Sequence, residues 1–363
     1  MMTGTLTRYF GLRFLGTVLA VFVGVFALIA LIDYIEMMRR NSDVPNLSSL
    51  LAAKTSLYRV PQVAERIMPF CVLIGAMSCY LSLSRRLELV IARAAGVSAW
   101  QFVMPAIVVA FVFGTIATTV YNPIAAVLFE RSKHLEAELS GERAPGVQPT
   151  SGGFWVRQLS ANGQSIINAL TSREQGVGLD TVSVYSFDPS GGFLERIEAK
   201  SAVLEKGHWR LEDARIYSLN APTREYDTYL LSTDLTPEQV RESFSTPETV
   251  PFWQLPFYID LAERAGLAAA GYRLQYQKLL SRPFMLAAMV LLAAAFSLRF
   301  FRFGGVQKMV LGGVTAGFLL YVMSKITDDL SKAELMYPSV AAWLPAIVGG
   351  LTGFVALLYL EDG

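Results

Sequence analysis

The amino-acid sequence predicts an α+β membrane protein: six transmembrane helices with a β-rich domain inserted between the third and the fourth. Three observations carry this reading. Apolar residues make up 53% of the 363 and charged residues only 17%, and the mean hydropathy of +0.41 is high for a soluble chain. Six runs are long enough, at roughly 20 residues each, to cross a hydrocarbon layer about 30 Å thick. Between the third and fourth runs, residues 132–275 alternate polar with apolar instead.

The first run, LRFLGTVLAVFVGVFALIALIDYIEMM at about residues 12–38, is too long and too acidic at its end for a cleaved signal. It has no A-x-A site and reads as an anchor. The second, residues 61–83, contains IMPFCVLIGAMSCYLSL. Its Cys71 and Cys79 are separated by about 12 Å of helical rise, beyond disulfide reach, and read as small buried apolar residues. The third, FVMPAIVVAFVFGTIATTVYNPIAAVLF, begins at Phe102. KLLSRPFMLAAMVLLAAAFSLRF, MVLGGVTAGFLLYVMSKI and SVAAWLPAIVGGLTGFVALLYL complete the set.

Within the insertion, TVSVYSF (181–187), FLERIEAKSAVL (193–204) and WRLEDARIYSL (209–219) alternate as half-buried strands. FDPSGG and EKGHW supply turn chemistry between them. In the middle strand Phe193, Ile197 and Ala199 are expected inward, Glu198 and Lys200 outward. After TPETVPFWQLP a helical return, PFYIDLAERAGLAAAGYRLQYQKLL, leads back to the membrane. The expected division is therefore 1–131 for helices one to three, 132–275 for an antiparallel β domain, and 276–363 for helices four to six.

Several function classes fall away. A net charge of +1 gives no reason to expect nucleic acid as a partner. Two histidines, His134 and His208, make no metal pattern. No G-x-x-x-x-G-K-[ST] occurs; GGVQK (304–308) lacks both the spacing and the hydroxyl residue. Energy from a nucleotide must then come from another chain. The spans hold no Ser/Lys, paired-Asp or H-E-x-x-H constellation, against an intramembrane enzyme. A secondary transporter needs ionisable groups near the midplane, whereas Asp33, Glu36, Asp328 and Asp329 sit towards span ends. Six spans put both termini on one side. Lys and Arg near span ends are almost equally divided between the two sides, so the positive-inside rule does not set the orientation.

SRRLELVIARAAGVSAW, Ser84 to Trp100, separates spans two and three. On a single 100° wheel over residues 84–97, Leu87, Val90, Ile91, Ala94 and Val97 gather on a face expected to lie on the spans. The opposite arc carries Arg85, Leu89, Ala92, Arg93 and Gly96, with Glu88 to one side. An apolar knob among charges and small residues suits a helix docking into a protein groove. A plain interfacial helix with arginines on lipid headgroups is the other reading.

This segment resembles the signature [S/Q]-R-x-(x)-E-L-V-x-x-[RQ]-A-[AS]-G-[VF]-[ST] of the LptF/LptG permeases, the membrane subunits of the lipopolysaccharide-export ABC transporter. TLTRYFGLRFL, SVYSFD followed by W-R-L, and GGVTAGFLLYV extend the resemblance over nearly the whole chain, closest to the LptG branch. It implies a lipopolysaccharide permease of the bacterial inner membrane with cytoplasmic termini. The central domain would be a periplasmic β-jellyroll-like fold whose interior takes acyl chains. The chain would bind no cofactor; ATP and Mg would belong to an LptB-like ATPase dimer. An LptF-like paralogous permease, and an LptC-like bridge leading to LptA, would be the other partners.

The resemblance also implies roles. Residues 84–97 would be the coupling helix in the ATPase groove. Glu88 would pair there with a basic residue, Arg85 and Arg93 would meet acidic or backbone groups, Leu89 would fill the groove, and Gly96 would admit close approach. Arg39, Arg40, Arg131 and Lys133 fall on or near positions that contact lipopolysaccharide phosphates, for which guanidinium groups are suited. Alternatively, Arg39 and Arg40 cap the span by pairing with Glu36 or Asp43. Asp33 stands where some relatives carry a basic residue. Spans one and five would border the lipid cavity, with Phe318, Leu319, Val322 and Met323 lining it, although Gly312, Gly313 and Gly317 also suit plain helix packing. Pro345 would kink span six. The alternative class is a mechanotransmitting ABC subunit that signals to a periplasmic partner without moving lipid; such proteins usually have four spans.

Overall fold

The computed structural model describes residues 3–40, 49–139, 154–160, 163–173, 177–188, 192–218, 221–233, 246–264, 269–301 and 306–361. Helix α1 (Thr3–Arg40) is followed by α2 (Ser49–Arg85), the short α3 (Glu88–Ala94) and α4 (Ala99–Ile116). A π turn, Ala117–Tyr121, carries α4 into α5 (Asn122–Leu139) as one span. After the strands come α6 (Leu255–Arg264), α7 (Ala270–Phe301), α8 (Val306–Lys332) and α9 (Pro338–Glu361). Among the described residues six helices are long and apolar enough to cross a membrane, and an antiparallel sheet lies between the third and fourth. The predicted α+β membrane architecture is the observed one.

α2 and α7 occupy the middle of the bundle. Met68, Val72, Leu73 and Ala76 of α2 share one core with Leu286, Met289, Val290 and Ala293 of α7. α1 and α8 both pack on α2. Their outer faces leave Val23, Leu28, Leu31 and Ile35, and Leu311, Phe318 and Leu319, exposed. Glycines allow close approach of helix backbones. A Cβ on Gly75 would stand 2.9 Å from the Cα of Val18, and one on Gly114 would stand 2.6 Å from the Cα of Pro283.

Prolines free backbone carbonyls at depth, and neighbouring elements recapture them. Pro283 has no N–H to offer Leu279, whose carbonyl accepts the Thr118 hydroxyl at 2.9 Å instead. Pro345 does the same to Ala341, whose carbonyl accepts the Thr327 hydroxyl at 3.0 Å. Pro123 leaves the Thr119 carbonyl without its helical donor, and the Trp253 indole N–H donates to it at 3.0 Å. At these three prolines a bond lost within a helix becomes one between elements, which helps keep proline where water is scarce.

One ionic group escaped the sequence reading. Glu65 of α2 and Arg282 of α7 form a salt bridge, with side-chain exposures of only 1% and 13%. Asn122 Nδ2 donates to Glu65 at 2.9 Å, and Asn122 Oδ1 accepts the backbone N–H of Phe252 at 3.0 Å. Both charges lie beside the long apolar runs of their helices, so no break in hydropathy announced them.

The sheet contains β1 (Phe154–Ser160), β2 (Gly163–Arg173), β3 (Gly178–Phe187), β4 (Phe193–Glu205), β5 (His208–Ser218) and β6 (Ala221–Ser232). Among the described residues the expected jellyroll-like layer is an antiparallel meander, each strand paired with its sequence neighbour. Ile197 and Ala199 are buried as expected, but Phe193 is 39% exposed. It lies beyond the register shift at Ser186/Phe187 and packs edge-on against Phe187 at 5.8 Å.

A crease crosses the middle strands. Burial passes from Leu179 to Val182 on β3, from Ala199 to Ala202 on β4, and from Leu211 to Ala214 on β5, skipping one alternation each time. Thr181, Lys200 and Asp213 face one another at this level, and Thr181 and Asp213 both have φ +52. Two successive side chains point outward there, and both halves of the sheet address one apolar core. The curl brings the sheet's two edges together. Buried Gln158 of β1 accepts the Trp209 indole N–H at 3.1 Å and the Thr233 hydroxyl at 2.7 Å. Trp209, Leu179, Leu211 and Ile197 fill the interior.

Candidate functional site

At the end of the bundle that carries the termini, α2 stops at Arg85 and α3 starts at Glu88. Leu87 between them has φ +61, a left-handed conformation costing a leucine about 1–2 kcal/mol. That break invalidates a single wheel over residues 84–97: Arg85 and Gly96 are exposed and Val97 packs on the core as expected, but the leucines and their neighbours exchange faces. Leu89, expected outward, is 3% exposed and belongs to the bundle core. Leu87, Val90 and Ile91, expected against the spans, are exposed. The apolar surface offered by this joint is therefore Leu87, Val90 and Ile91.

Gly96 has a different local reason from close approach. Its φ is +83, and nothing in the chain lies within 4 Å of a Cβ placed there. The Val97 N–H returns to the Ala92 carbonyl at 3.1 Å, the αL stop that ends a helix at glycine. Arg85 is exposed; the Arg93 side chain lies outside the described residues.

Glu88 is held within this chain. Arg13 Nη1 donates to Glu88 Oε1 at 3.0 Å, and the Tyr9 hydroxyl donates to Oε2 at 2.9 Å. Arg13 Nη1 also donates to the Tyr9 oxygen, and Arg13 Nη2 reaches Ser82 Oγ at 3.3 Å. Arg13 and Glu88 side chains are 19% and 29% exposed, so the pair is partly desolvated while Glu88 stays accessible. The sequence reading missed both partners. Their signal was the i, i+4 spacing of Tyr9 and Arg13, which puts them on one face of α1.

The other end of the bundle carries a basic rim. Arg39 and Arg40 both pair with Glu36, at 2.9 and 3.0 Å, which is the capping arrangement. All three remain exposed enough for water to weaken these bonds. Arg59 links Asp33 of α1 to Glu136 of α5, each at 3.6 Å. Lys133 donates to Thr246 Oγ1 at 2.8 Å and lies 5.2 Å from the Phe129 ring centre. Arg66 stands 3.7 Å from Glu248, and Arg131 is exposed. Arg59 and Arg66 were not singled out in the sequence.

On α8, Gly313 faces Met77 and Gly317 faces Leu73 of α2, while Gly312 faces Phe296 of α7. The glycines therefore serve packing. Phe318 and Leu319 point away from that contact and are exposed. Val322 is half-buried, and Met323 packs partly against the bundle core.

Six apolar helices long enough to span, an antiparallel sheet inserted between the third and fourth, a charged joint at one end and a cluster of basic residues at the other fit a multi-pass membrane protein. The chain belongs to the lipopolysaccharide export system permease family LptF/LptG, whose model matches residues 8–359. It is similar to the lipopolysaccharide export system permease protein LptG of Escherichia coli strain K12, 22% identical over 349 residues, covering 94% of this chain and 95% of that protein. It is also similar to LptG of Haemophilus influenzae, 24% identical over 362 residues, covering 96% and 95%. Its class is thus a permease, a transporter's membrane subunit, rather than an enzyme.

Proposed function

We propose that this chain is the permease subunit that withdraws lipopolysaccharide from a bacterial inner membrane and passes it to a periplasmic bridge, driven by ATP hydrolysis in an LptB-like partner. The observation carrying this reading is the pairing of Glu88 on α3 with Arg13 and Tyr9 on α1. A push on α3 reaches an outer helix of the bundle through a charge-assisted contact. α1 and α8 then act as movable walls of a cavity shared with an LptF-like paralogue. Both termini face the cytoplasm and the sheet faces the periplasm. In the assembly Leu87, Val90, Ile91, Arg85, Arg93 and an accessible Glu88 oxygen meet the ATPase, with Gly96 leaving room for it. Arg39, Arg40, Arg131 and Lys133 compete for lipid A phosphates, and an LptC-like chain receives the lipid.

Purification of the chain from native membranes tests this directly. An ATPase, a paralogous permease and lipopolysaccharide are expected to accompany it; a preparation with the ATPase but no lipid favours a mechanotransmitting subunit. Arg39→Ala with Arg40→Ala is expected to weaken lipopolysaccharide-stimulated ATP hydrolysis while leaving basal hydrolysis intact. An unchanged response assigns both arginines to Glu36 alone.

A further inference from the structure

The segment between the sheet and α7 presents an aromatic pair that is exposed among the described residues. Trp253 is 65% exposed and Phe257 61%, one helical turn apart. Their neighbours are anchored: Val250, Phe252 and Leu255 form a cluster with Tyr272 and Leu279 of α7. α6 thus docks by one face and turns the other outward.

The position of that outward face is fixed by bonds already described. The Trp253 indole N–H donates to the Thr119 carbonyl freed by Pro123. Thr119 stands 19 residues after Trp100 in the third span, a rise of about 28 Å, close to one hydrocarbon thickness. Trp253 therefore stands towards the sheet-side end of the third span, whose exposed apolar stripe runs on to Ile124 and Val127. The buried Glu65–Arg282 pair meets Asn122 three residues farther along the same span. Charge thus re-enters the bundle at this level. Trp343 on α9, its indole N–H bonded to Gln277 at 3.1 Å, adds another amphipathic ring towards this end of the bundle.

Continuity of the surface identifies what covers the pair. Val112, Ile116, Val120 and Ile124 are exposed at four-residue intervals along the third span, a stripe that faces lipid. Thr119, to which Trp253 is bonded, lies within the segment carrying that stripe. A ring whose polar atom is occupied and whose face is bare suits the membrane interface.

We propose that Trp253 and Phe257 form a phospholipid-interface anchor. α6 lies in the plane of the membrane surface, on the side of the sheet, with both rings among the glycerol and upper acyl groups. It holds the chain leaving the sheet at fixed height above the bilayer. The proposal does not depend on which lipid is exported.

Site-directed spin labelling tests it. Cys71 and Cys79 are buried, so a nitroxide on Phe257→Cys reports that position. The labelled chain, assembled with its co-purifying partners in phospholipid nanodiscs, is examined by power saturation. Oxygen is expected to relax the label more than a water-soluble nickel chelate does, at a depth about 5–10 Å below the phosphates. Stronger relaxation by nickel, meaning water, or shielding from both reagents, meaning a protein partner, overturns the proposal.

Discussion

Glu88→Lys is expected to release the ATPase from the purified complex and to lower lipid-stimulated hydrolysis about tenfold or more. Truncating one partner of a desolvated, hydrogen-bonded charge pair at an interface costs about 2–5 kcal/mol, and each 1.4 kcal/mol is about tenfold in affinity. The substitution acts twice, because it also sets a lysine against Arg13, the residue 3.0 Å from the Glu88 carboxylate. A charge swap, Arg13→Glu with Glu88→Arg, separates the two effects. The swap is expected to restore the thermal stability lost in Glu88→Lys but not ATPase retention. If the swap restores both, Glu88 serves only the internal joint. If Glu88→Lys keeps its ATPase, the assignment of this carboxylate to a partner contact fails.

The second large effect is in the membrane. Glu65→Leu leaves Arg282 buried without its anion and deprives Asn122 of an acceptor. Breaking a buried pair by removing one member costs about 3–5 kcal/mol, a large share of the stability of most domains. The variant is expected to show a markedly lower aggregation temperature in detergent, followed by size-exclusion chromatography after heating. Glu65→Leu combined with Arg282→Met removes both charges and is expected to recover much of that loss. Equal damage in the single and double variants would show that the ion pair itself contributes little.

The spans were readable because lipid imposes one requirement, about 20 apolar helical residues, that composition alone reveals. Strand positions followed from alternation, and Ile197 and Ala199 point inward as expected. What failed was continuity of phase. The single wheel over residues 84–97 placed Leu89 outside because nothing in RRLEL announces a leucine at φ +61, a conformation usually met at glycine. The crease at Thr181, Lys200 and Asp213 was hidden for the same reason: each strand's alternation slips once without a glycine to mark it. Partners distant in sequence were equally out of reach. Arg13 with Glu88, and Glu65 with Arg282, become pairs only when helices are laid side by side.

The amide of Gln158 has a further consequence. Where the first and last strands converge, it bonds to Trp209 and Thr233, and among the described residues the two strands share no ladder. Parting them breaks side-chain bonds of about 1 kcal/mol each and also uncovers the apolar core around Trp209, Leu179 and Leu211, so packing, not a ladder, holds this edge shut. The seam is thus fastened by one buried amide and by the side chains packed behind it, so the indole of Trp209 reports on its closure.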